Sequence, residues 1–305
     1  MNLSTILVIG SLNMDWIIKT PHTPLTGETL MGEFSLAVPG GKGANQAYTC
    51  ASLGATTSML GAVGQDAEGT QLINNLNNVG VDTSNLLNLE GTKTGLALIY
   101  VSAVGDNTIV VLPNANEKVT PDYITQYKHL LASCDIILLQ MEIPLETLYF
   151  IIDLAHSLGK TIILNPAPAP DSIPDDILAK IDYLTPNETE LATLSQTSTD
   201  SLEGVTLGAQ SLLSKGVKNV ITTLGSRGAL LVTPERTQHF PGHTVTPVDT
   251  TAAGDSFNGA IATYLSQGKS IDEAITFANK VASITVTRVG AQSSIPSLKE
   301  VQNIL

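Results

Sequence analysis

Residues 136–164 read IILLQMEIPLETLYFIIDLAHSLGKTIIL and hold two short apolar segments on either side of a helical pattern. Residues 136–139 and 161–164 are apolar or β-branched, which is typical of strands buried on both faces of a parallel sheet. Between them apolar residues recur at helical spacing before a glycine stop signal: Leu145, Leu148, Ile151, Ile152, Ala155, Leu158 and then Gly159. The stretch therefore predicts a strand–helix–strand crossover.

Further segments of the same two kinds occur along the chain. Residues 6–9 and 220–223 are again short apolar or β-branched runs. A second helix is predicted to begin after Asp66, a residue suited to the N-cap, and to end at Gly80. Alternation of buried strands with amphipathic helices is typical of an α/β protein. We predict a three-layer sandwich around a mostly parallel sheet.

A second, smaller sheet is predicted from segments that lack this pattern. Residues 33–38 alternate polar and apolar side chains, and residues 96–100 follow this pattern only loosely. Gly105-Asp106 then suits a two-residue hairpin turn into residues 108–112. Strands with one apolar face do not fit a sheet covered on both faces. The exposed edges of a small sheet favour a homodimer. We expect an α/β domain of residues 1–15, 39–93 and 114–305, and an inserted β-sheet lid of residues 16–38 and 94–113.

Composition excludes several classes of partner. The chain has 305 residues with 15 Lys and Arg against 28 Asp and Glu, a net charge of −13, so no basic surface is expected for nucleic acid or an anionic membrane. No apolar stretch reaches the ~18 residues of a membrane span, and no signal-type segment is expected. Cys50 and Cys134 lie in apolar runs without metal or redox spacing, which predicts buried free thiols and a cytoplasmic protein.

Two polar motifs near the amino end are candidates for ligand binding. Asn13 and Asp15 follow the first predicted strand at a spacing that points both side chains the same way in an extended chain. Ligands bind at such strand ends in open α/β sheets, although a solvated turn explains the pair more simply when it is taken alone. The motif GGKGAN at residues 40–45 places three glycines at a helix start, where backbone can approach a ligand closely or merely form a loop. No Ser or Thr follows Lys42, so this is not a Walker A loop.

The motif DTTAAGD at residues 249–255 is the most informative. Small residues lead through Gly254 to Asp255 and then into helical spacing. Such a turn presents unpaired N–H groups and the positive end of a helix dipole to an anion. Dipole compensation alone accounts for an acid in the first turn, but it leaves Asp249 and the small residues unexplained.

Two other segments have adequate structural explanations when they are considered alone. Asn187 and Glu190 fit a helix start, where capping is sufficient to explain both. Residues 223–228, TLGSRG, close a predicted strand with two glycines and a cation and indicate a turn between strands.

In combination the motifs resemble the ribokinase family of sugar and nucleoside kinases, also called phosphofructokinase-B-type carbohydrate kinases. GGKGAN at 40–45, Asn187-x-x-Glu190 and DTTAAGD at 249–255 occur in the family's order, and the resemblance extends over essentially the whole chain through QMEIP at 140–144, NPAPA at 165–169 and GAQ at 290–292. The resemblance implies a lid that covers a sugar site. It also implies ATP-dependent phosphorylation of D-ribose at the 5-hydroxyl, giving D-ribose 5-phosphate and ADP.

The resemblance also implies roles for individual residues. Asp255 would be the base that accepts the 5-hydroxyl proton, and the N–H groups of Ala252, Ala253 and Gly254 would form an anion hole for the transferred phosphoryl group. The sugar would be bound by Asn13, Asp15, Gly41, Lys42, Asn45, Glu142 and Asp255. ATP would be bound by Asn187, Glu190, Thr223, Gly225, Ser226, Arg227, Gly228, Gly254 and Asn279.

Two metal ions are implied in the same way. Glu190 would act on Mg²⁺ through water, in keeping with the hydration that this ion retains. A monovalent cation, normally potassium, would lie beside the anion hole, several of its contacts being backbone carbonyls. Its ligands would come from Asp249, Thr251, Thr285, Arg288, Gly290 and Ser294.

The choice of acceptor depends on residues at the mouth of the predicted sugar site. Trp16 and Pro39 depart from the family pattern at the mouth of the predicted sugar site. Asn13 favours ribose, because deoxyribokinase-like chains tend to carry an apolar residue there. The alternatives are a kinase of the same family for 2-deoxyribose, another sugar or a nucleoside, and a non-catalytic sugar sensor, against which the presence of Gly254 and Asp255 argues.

Overall fold

The computed structural model describes residues 5–103 and 107–304. Its strands are β1 (Thr5–Ile9), β2 (Asn13–Thr20), β3 (Glu33–Gly40), β4 (Thr56–Leu60), β5 (Ala62–Gly64), β6 (Leu87–Leu89), β7 (Gly95–Ser102), β8 (Asn107–Leu112), β9 (Ile136–Leu139), β10 (Thr161–Leu164), β11 (Tyr183–Leu184), β12 (Asn219–Thr223), β13 (Ala229–Val232) and β14 (Thr237–Phe240). Its α-helices are α1 (Lys42–Ser52), α2 (Ala67–Asn78), α3 (Pro121–Gln126), α4 (Lys128–Ser133), α5 (Leu145–Ser157), α6 (Asp175–Leu178), α7 (Glu188–Ser195), α8 (Leu202–Ser214), α9 (Ala253–Ser266), α10 (Ile271–Thr285) and α11 (Leu298–Asn303).

The main sheet has eight strands in the order β14-β13-β12-β11-β10-β9-β1-β4. Neighbours from β12 to β4 are parallel, and β13 and β14 add an antiparallel edge. β9, α5 and β10 form the predicted crossover. Gly159 terminates the helix α5 with φ 67°, a conformation that favours glycine. The predicted mostly parallel sheet is confirmed.

Helices cover both faces of this sheet, because successive side chains along a strand point into two different hydrophobic cores. Leu7 and Ile9 of β1 pack with side chains of α3 to α8. Ile6 and Val8 pack on the other face with side chains of α1, α2 and α9 to α11. Each fully buried side chain of this size stabilises the fold by about 1.5–3 kcal/mol. The predicted three-layer sandwich is therefore the observed architecture.

A separate four-stranded sheet has the order β3-β2-β7-β8, and β5 and β6 form a further small pair. β7 pairs antiparallel with β8, from Leu96 opposite Leu112 to Val101 opposite Asn107. The predicted turn at Gly105-Asp106 between these strands lies outside the described residues. Pairing of Asn13 with Gly40 and Gly95 extends the small sheet back to residue 13, which the predicted division placed in the α/β domain.

Polar side chains gather at the carboxyl edge of the main sheet, where the small sheet begins. Gln140 follows β9, Asn165 follows β10 and Thr185 follows β11, and all three are buried. Such an edge is where open α/β sheets bind ligands. Cys50 and Cys134 are buried free thiols, as predicted. Within the described ranges, no helix is both long and apolar enough to cross a membrane.

Candidate active site

The site begins where β2 leaves the main body. Asn13 and Asp15 are both buried, 3% and 8% exposed, and occupy alternate positions of one extended strand. Asn13 Oδ1 accepts a hydrogen bond from Asn116 Nδ2 at 2.8 Å. The predicted pair is therefore part of a folded strand whose side chains have specific protein neighbours.

The glycines of residues 40–43 bring the start of α1 against the chain that follows β1. Gly41 has φ 86°, and a Cβ on Gly43 would lie 2.6 Å from both Gly10 C and Ser11 N. A Cβ on Gly40 would lie 2.1 Å from Asp15 Oδ2. Backbone contacts this short are not tolerated, so Gly43 requires glycine, whereas a Cβ on Gly40 would displace the Asp15 carboxylate. The sequence left open whether these glycines admit a ligand or form a loop, and the structure shows that they also make room for neighbouring protein atoms.

Asp255 lies in the first turn of α9 and is 7% exposed. Its two carboxylate oxygens accept from adjacent residues of α1. Asn45 Nδ2 donates to Oδ2 at 2.9 Å, and Gln46 Nε2 donates to Oδ1 at 3.0 Å. Charge-assisted bonds of this kind hold a carboxylate in one orientation. Each oxygen keeps capacity to accept a further hydrogen bond.

Buried amides that the sequence prediction did not assign a role extend this arrangement. Gln140 Nε2 donates to Gln46 Oε1 at 2.6 Å, and Gln46 Nε2 also donates to Asn165 Oδ1 at 3.2 Å. On the other side, Gln292 Nε2 donates to Asn45 Oδ1 at 3.1 Å. A polar residue directly after a buried apolar strand was the available signal for Gln140 and Asn165. The partners themselves come from distant parts of the chain.

Four carboxylates surround the predicted sugar-binding Lys42. Burial lowers the pKa of Lys42, but Asp255, Glu142, Glu190 and Asp15 outweigh this and raise it overall, so its ammonium is charged. Burial, with smaller contributions from Glu142 and Asp255, raises the pKa of Asp15 to about 7. The site therefore combines one cation with a carboxylate that titrates near neutral pH.

One cavity of about 550 Å³ lies beside these residues. Asn13 and Glu142 line it, and Glu142 Oε2 accepts from Ser11 Oγ at 2.6 Å and from Lys42 N at 3.2 Å. Its other walls are largely apolar: Val111, Pro113, Met141, Ile143, Pro144, Leu145 and Pro168, with Asn116 and Glu117. Polar groups converging in an apolar pocket of this size are typical of a site for a small molecule.

A second cavity of about 530 Å³ is lined in part by the turn that begins α9. Four predicted nucleotide-binding residues line it: Gly225, Ser226, Gly228 and Asn279. Ala253 of the predicted anion hole lines it as well. The prediction gave no role to the rest of the wall, which comprises Gly242, His243, Thr244, Val245, Pro247, Thr250, Ala282, Ser283 and Val286. Arg227 turns its guanidinium to Glu188 in an ion pair. Thr223 ends β12 immediately before this turn.

The start of α9 carries the predicted anion hole and lines the second cavity through Ala253. Ala252 has φ 59°, a left-handed conformation, and Ala253 N donates to Thr250 O at 3.3 Å. Among the described residues nothing accepts a hydrogen bond from Gly254 N, and a Cβ on Gly254 would have no neighbour within 4 Å. An uncapped helix start that faces open space is suited to an anion.

Asn187 and Glu190 form a capping box at the start of α7. Asn187 Oδ1 accepts from Glu190 N, and Glu190 Oε2 accepts from Asn187 N, each at 2.8 Å. Burial raises the pKa of Glu190, and Asn187 N–H and Lys42 partly offset it. The helix capping that the sequence predicts for Asn187 and Glu190 is thus observed. The capping box also holds Glu190 close enough to Asp255 for the charge on Asp255 to raise the pKa of Glu190.

The loops that carry the predicted cation ligands are joined through Asp249. Its carboxylate accepts from Thr251 N at 2.9 Å and from Gly290 N at 2.9 Å. Thr285 and Ser294 are buried, and their hydroxyls donate to backbone carbonyls. The Arg288 guanidinium pairs with Glu300 at 2.8 Å, so the predicted contact of Arg288 with a cation would have to use its backbone carbonyl. In the described part of the chain, no group of three acidic, Cys or His side chains is placed to hold a metal ion.

Comparisons with known proteins agree with this architecture. The model of the pfkB family of carbohydrate kinases matches residues 3–298. A ribokinase from Bacillus subtilis is 41% identical over 98% of this chain and 99% of its own, and a deoxyribokinase from Salmonella typhi is 37% identical over 98% of both. The structure of Arabidopsis thaliana ribokinase complexed with ribose and ATP has a TM-score of 0.91 and 32% identity, covering 99% of this chain and 98% of that one.

The chain belongs to the pfkB family of carbohydrate kinases. The predicted enzyme class, an ATP-dependent sugar kinase with a ribokinase-like fold, is confirmed.

Proposed function

We propose that this chain transfers the γ-phosphoryl group of ATP to the 5-hydroxyl of D-ribose, giving D-ribose 5-phosphate and ADP. The observation that carries the proposal is the position of Asp255. Its carboxylate is oriented by Asn45 and Gln46 at an uncapped helix start, and the same turn lines the second cavity through Thr250 and Ala253. The likeness to a ribokinase complexed with ribose and ATP supports the choice of substrates.

In the proposed reaction the ribose 5-hydroxyl donates a hydrogen bond to Asp255 and attacks the γ-phosphorus in line. The bond from O5 to phosphorus forms as the bond to the β–γ bridging oxygen breaks, and the proton passes to the Asp255 carboxylate. The N–H groups of Ala252, Ala253 and Gly254 stabilise the charge on the transferred group. Gly254 contributes most directly, because Ala253 N–H is partly engaged with Thr250.

We assign the sugar to the 550 Å³ cavity. The sugar hydroxyls are bound by carboxylates and amides, because each of these groups can make two hydrogen bonds in one plane. The residues proposed to bind them are Asn13, Asp15, Asn45, Glu142 and Asp255, with Lys42 and the backbone of Gly41. The small sheet acts as a lid, because Asn13 and Val111 belong to it and line this cavity.

We assign ATP to the 530 Å³ cavity. Gly225, Ser226, Gly228 and Asn279 line it. The proposal adds Asn187, Glu190, Thr223, Arg227 and Gly254 as further nucleotide contacts. Mg²⁺ would be held by the ATP phosphates and water, with Glu190 acting through water. This fits a carboxylate whose two oxygens already accept from Asn187 N and Nδ2.

We assign a monovalent cation, potassium by preference, to the loops joined by Asp249. Oxygen donors suit such an ion, and the hydroxyls of Thr285 and Ser294 retain acceptor capacity after donating to carbonyls. The remaining donors would be oxygens of Asp249, Thr251, Arg288 and Gly290. When bound, the cation would add positive charge beside the first turn of α9.

The proposal includes a cytoplasmic homodimer. Two buried free thiols are in keeping with a reducing compartment. β8 is an edge strand of the small sheet whose residues 109–112 are between 42% and 52% exposed, an edge that a second copy would cover.

Coupled ADP release tests the acceptor. With Mg-ATP and potassium, D-ribose, 2-deoxyribose, fructose and adenosine are compared at matched concentrations, and D-ribose is expected to give the highest kcat/KM. Higher turnover of 2-deoxyribose would favour the second candidate, which the similarity to a deoxyribokinase supports. Absence of turnover with every acceptor would overturn the kinase proposal in favour of a sugar sensor.

Asp255→Asn tests the mechanism in the same assay. The amide keeps the shape of the side chain but cannot take the proton, so kcat is expected to fall by about 10²–10⁴-fold. Calorimetric affinities for sugar and ATP should stay within a few-fold of those of the wild type. A near-normal kcat would contradict the assignment of Asp255 as base.

A further inference from the structure

A short chain of hydrogen bonds connects the backbone at Leu12 to the sugar cavity. Asn116 Oδ1 accepts from Leu12 N at 3.0 Å, and Asn116 Nδ2 donates to Leu12 O at 3.2 Å. The same Nδ2 donates to Asn13 Oδ1 at 2.8 Å. Asn116 is 1% exposed and Asn13 is 3% exposed, so solvent does not compete for these groups.

The Leu12 backbone determines which atom of the Asn116 side-chain amide is oxygen and which is nitrogen, an assignment that is usually ambiguous. A backbone N–H only donates and a backbone carbonyl only accepts, so Leu12 permits one orientation of the Asn116 amide. Its Nδ2 must then face Asn13, and the atom that Asn13 turns to it must be Oδ1. The orientation of Asn13 is therefore determined by a residue 103 positions away.

The other end of the Asn13 amide is its NH₂ group. Among the described residues nothing accepts a hydrogen bond from Asn13 Nδ2, and Asn13 lines the 550 Å³ cavity. Gly95 leaves room for this arrangement, because a Cβ there would lie 2.2 Å from Asn13 Oδ1 and 2.4 Å from Asn116 Nδ2. Asn13 Nδ2 is therefore a hydrogen-bond donor of fixed orientation in the wall of the cavity.

We infer that Asn116 is a specificity-positioning residue: by orienting Asn13, it makes the sugar site require a hydrogen-bond acceptor at that position. The inference rests on the proposed function, because it takes the sugar to occupy this cavity. Asp15 and Glu142 are nearby acceptors, so a hydroxyl accepts from Asn13 and donates to a carboxylate. The proposal takes this hydroxyl to be the 2-hydroxyl of ribose, the group for which Asn13 is expected to select. A sugar that lacks it leaves a buried NH₂ group unpaired, and loss of one required partner discriminates strongly between substrates.

Asn116→Asp tests the inference, since it keeps the size of the side chain and replaces the NH₂ group with an acceptor. Asn13 is then expected to turn its own NH₂ toward the introduced carboxylate and to present Oδ1 to the cavity. We expect the ratio of kcat/KM for D-ribose to that for 2-deoxyribose to fall by at least about tenfold, with the 2-deoxyribose value changing by less than about threefold. An unchanged ratio, or an equal loss for both sugars, would overturn the inference.

Asn114→Asp is the matched control. It makes the same substitution on the same turn and removes the bond from Asn114 Nδ2 to Thr94 O, 2.9 Å long, without contacting Asn13. Its selectivity ratio is expected to equal that of the wild type.

Neutron diffraction on the deuterated wild-type protein tests the orientation independently of turnover and of whether the variant folds. Deuterons on the Asn13 amide nitrogen that faces the cavity are the expected result, and oxygen at that position would refute the inference. If the wild type phosphorylates neither sugar, the proposed function fails, and the neutron map still decides the orientation of Asn13.

Discussion

At the scale of single residues, the site is dominated by carboxylates removed from water. Asp15, Glu142, Glu190 and Asp255 all interact with Lys42. Asp15 is affected most strongly, because burial and two like charges oppose its ionisation and raise its pKa to about 7. Stability and ligand binding at this site are therefore coupled to pH in the physiological range.

Asp15→Asn is expected to make the protein less sensitive to pH. The pKa of Asp15 is near 3.8 when unfolded and about 7 when folded, so the wild type loses stability relative to the variant as pH rises from about 4 to about 7. Between pH 5 and pH 8 the stability advantage of the variant should grow by on the order of 2 kcal/mol. Urea unfolding at both pH values measures this, and a constant difference would contradict it.

Gln46→Leu is expected to impair turnover more than binding. The change removes the donor to Asp255 Oδ1 and leaves that carboxylate held by Asn45 alone. We expect kcat to fall by about tenfold, in keeping with the cost of a misplaced catalytic group, and sugar affinity to change by less than about threefold.

Thr49→Val is the control for this variant. It deletes a buried hydroxyl on the same helix, whose bond to Asn45 O does not involve Asp255. The control should lose stability but keep kcat. Equal kcat losses in the two variants would assign Gln46 a purely structural role.

At the scale of elements, the starts of α1 and α9 use glycine for opposite reasons. Gly43 lies against the backbone of Gly10 and Ser11, so its missing Cβ is required by packing. Gly254 faces open space, so its missing Cβ is not required by any protein neighbour. The fold explains the first glycine, and the proposed phosphoryl position explains the second.

Gly43→Ala and Gly254→Val separate these two roles. Gly43→Ala should destabilise the fold by about 2 kcal/mol or more, as overpacking does. Gly254→Val should remain within about 1 kcal/mol of the wild type in stability, yet lose kcat with little change in sugar affinity, because its side chain occupies the proposed path of the phosphoryl group. Thermal unfolding and ADP release measure both effects, and an unchanged kcat for Gly254→Val would argue against the anion hole.

At the scale of the whole molecule, the small sheet is an insertion, and β8 is one of its two edge strands. Residues 109–112 of β8 are apolar and exposed, whereas the main sheet is covered by helices on both faces. An exposed apolar edge strand associates with another strand. The proposed homodimer accounts for this feature.

Ile109→Lys is expected to shift the homodimer toward monomer. A charge on the edge strand disfavours association, so the sedimentation coefficient should fall at a fixed protein concentration. Leu207→Lys is the control, since Leu207 is comparably exposed, at 53%, on the distant helix α8. A wild type that sediments as a monomer, or equal behaviour of the two variants, would contradict the proposed interface.

The sequence by itself determined the layered fold and the order of the motifs. Strand and helix periodicity, the Asp66 N-cap and the Gly159 stop are local properties, since they depend on side chains a few residues apart. The small-residue turn before Asp255 and the start of α1 at Lys42 were readable for the same reason.

Only the tertiary structure decided which groups hold the reactive ones in place. Gln46 reaches Asp255 across 209 positions, and Asn116 reaches Leu12 across 104. Arg227 and Arg288 turn their side chains to Glu188 and Glu300, which no local pattern indicates. Such contacts depend on how layers pack and on which buried donors still need acceptors, and these conditions exist only once distant segments have come together.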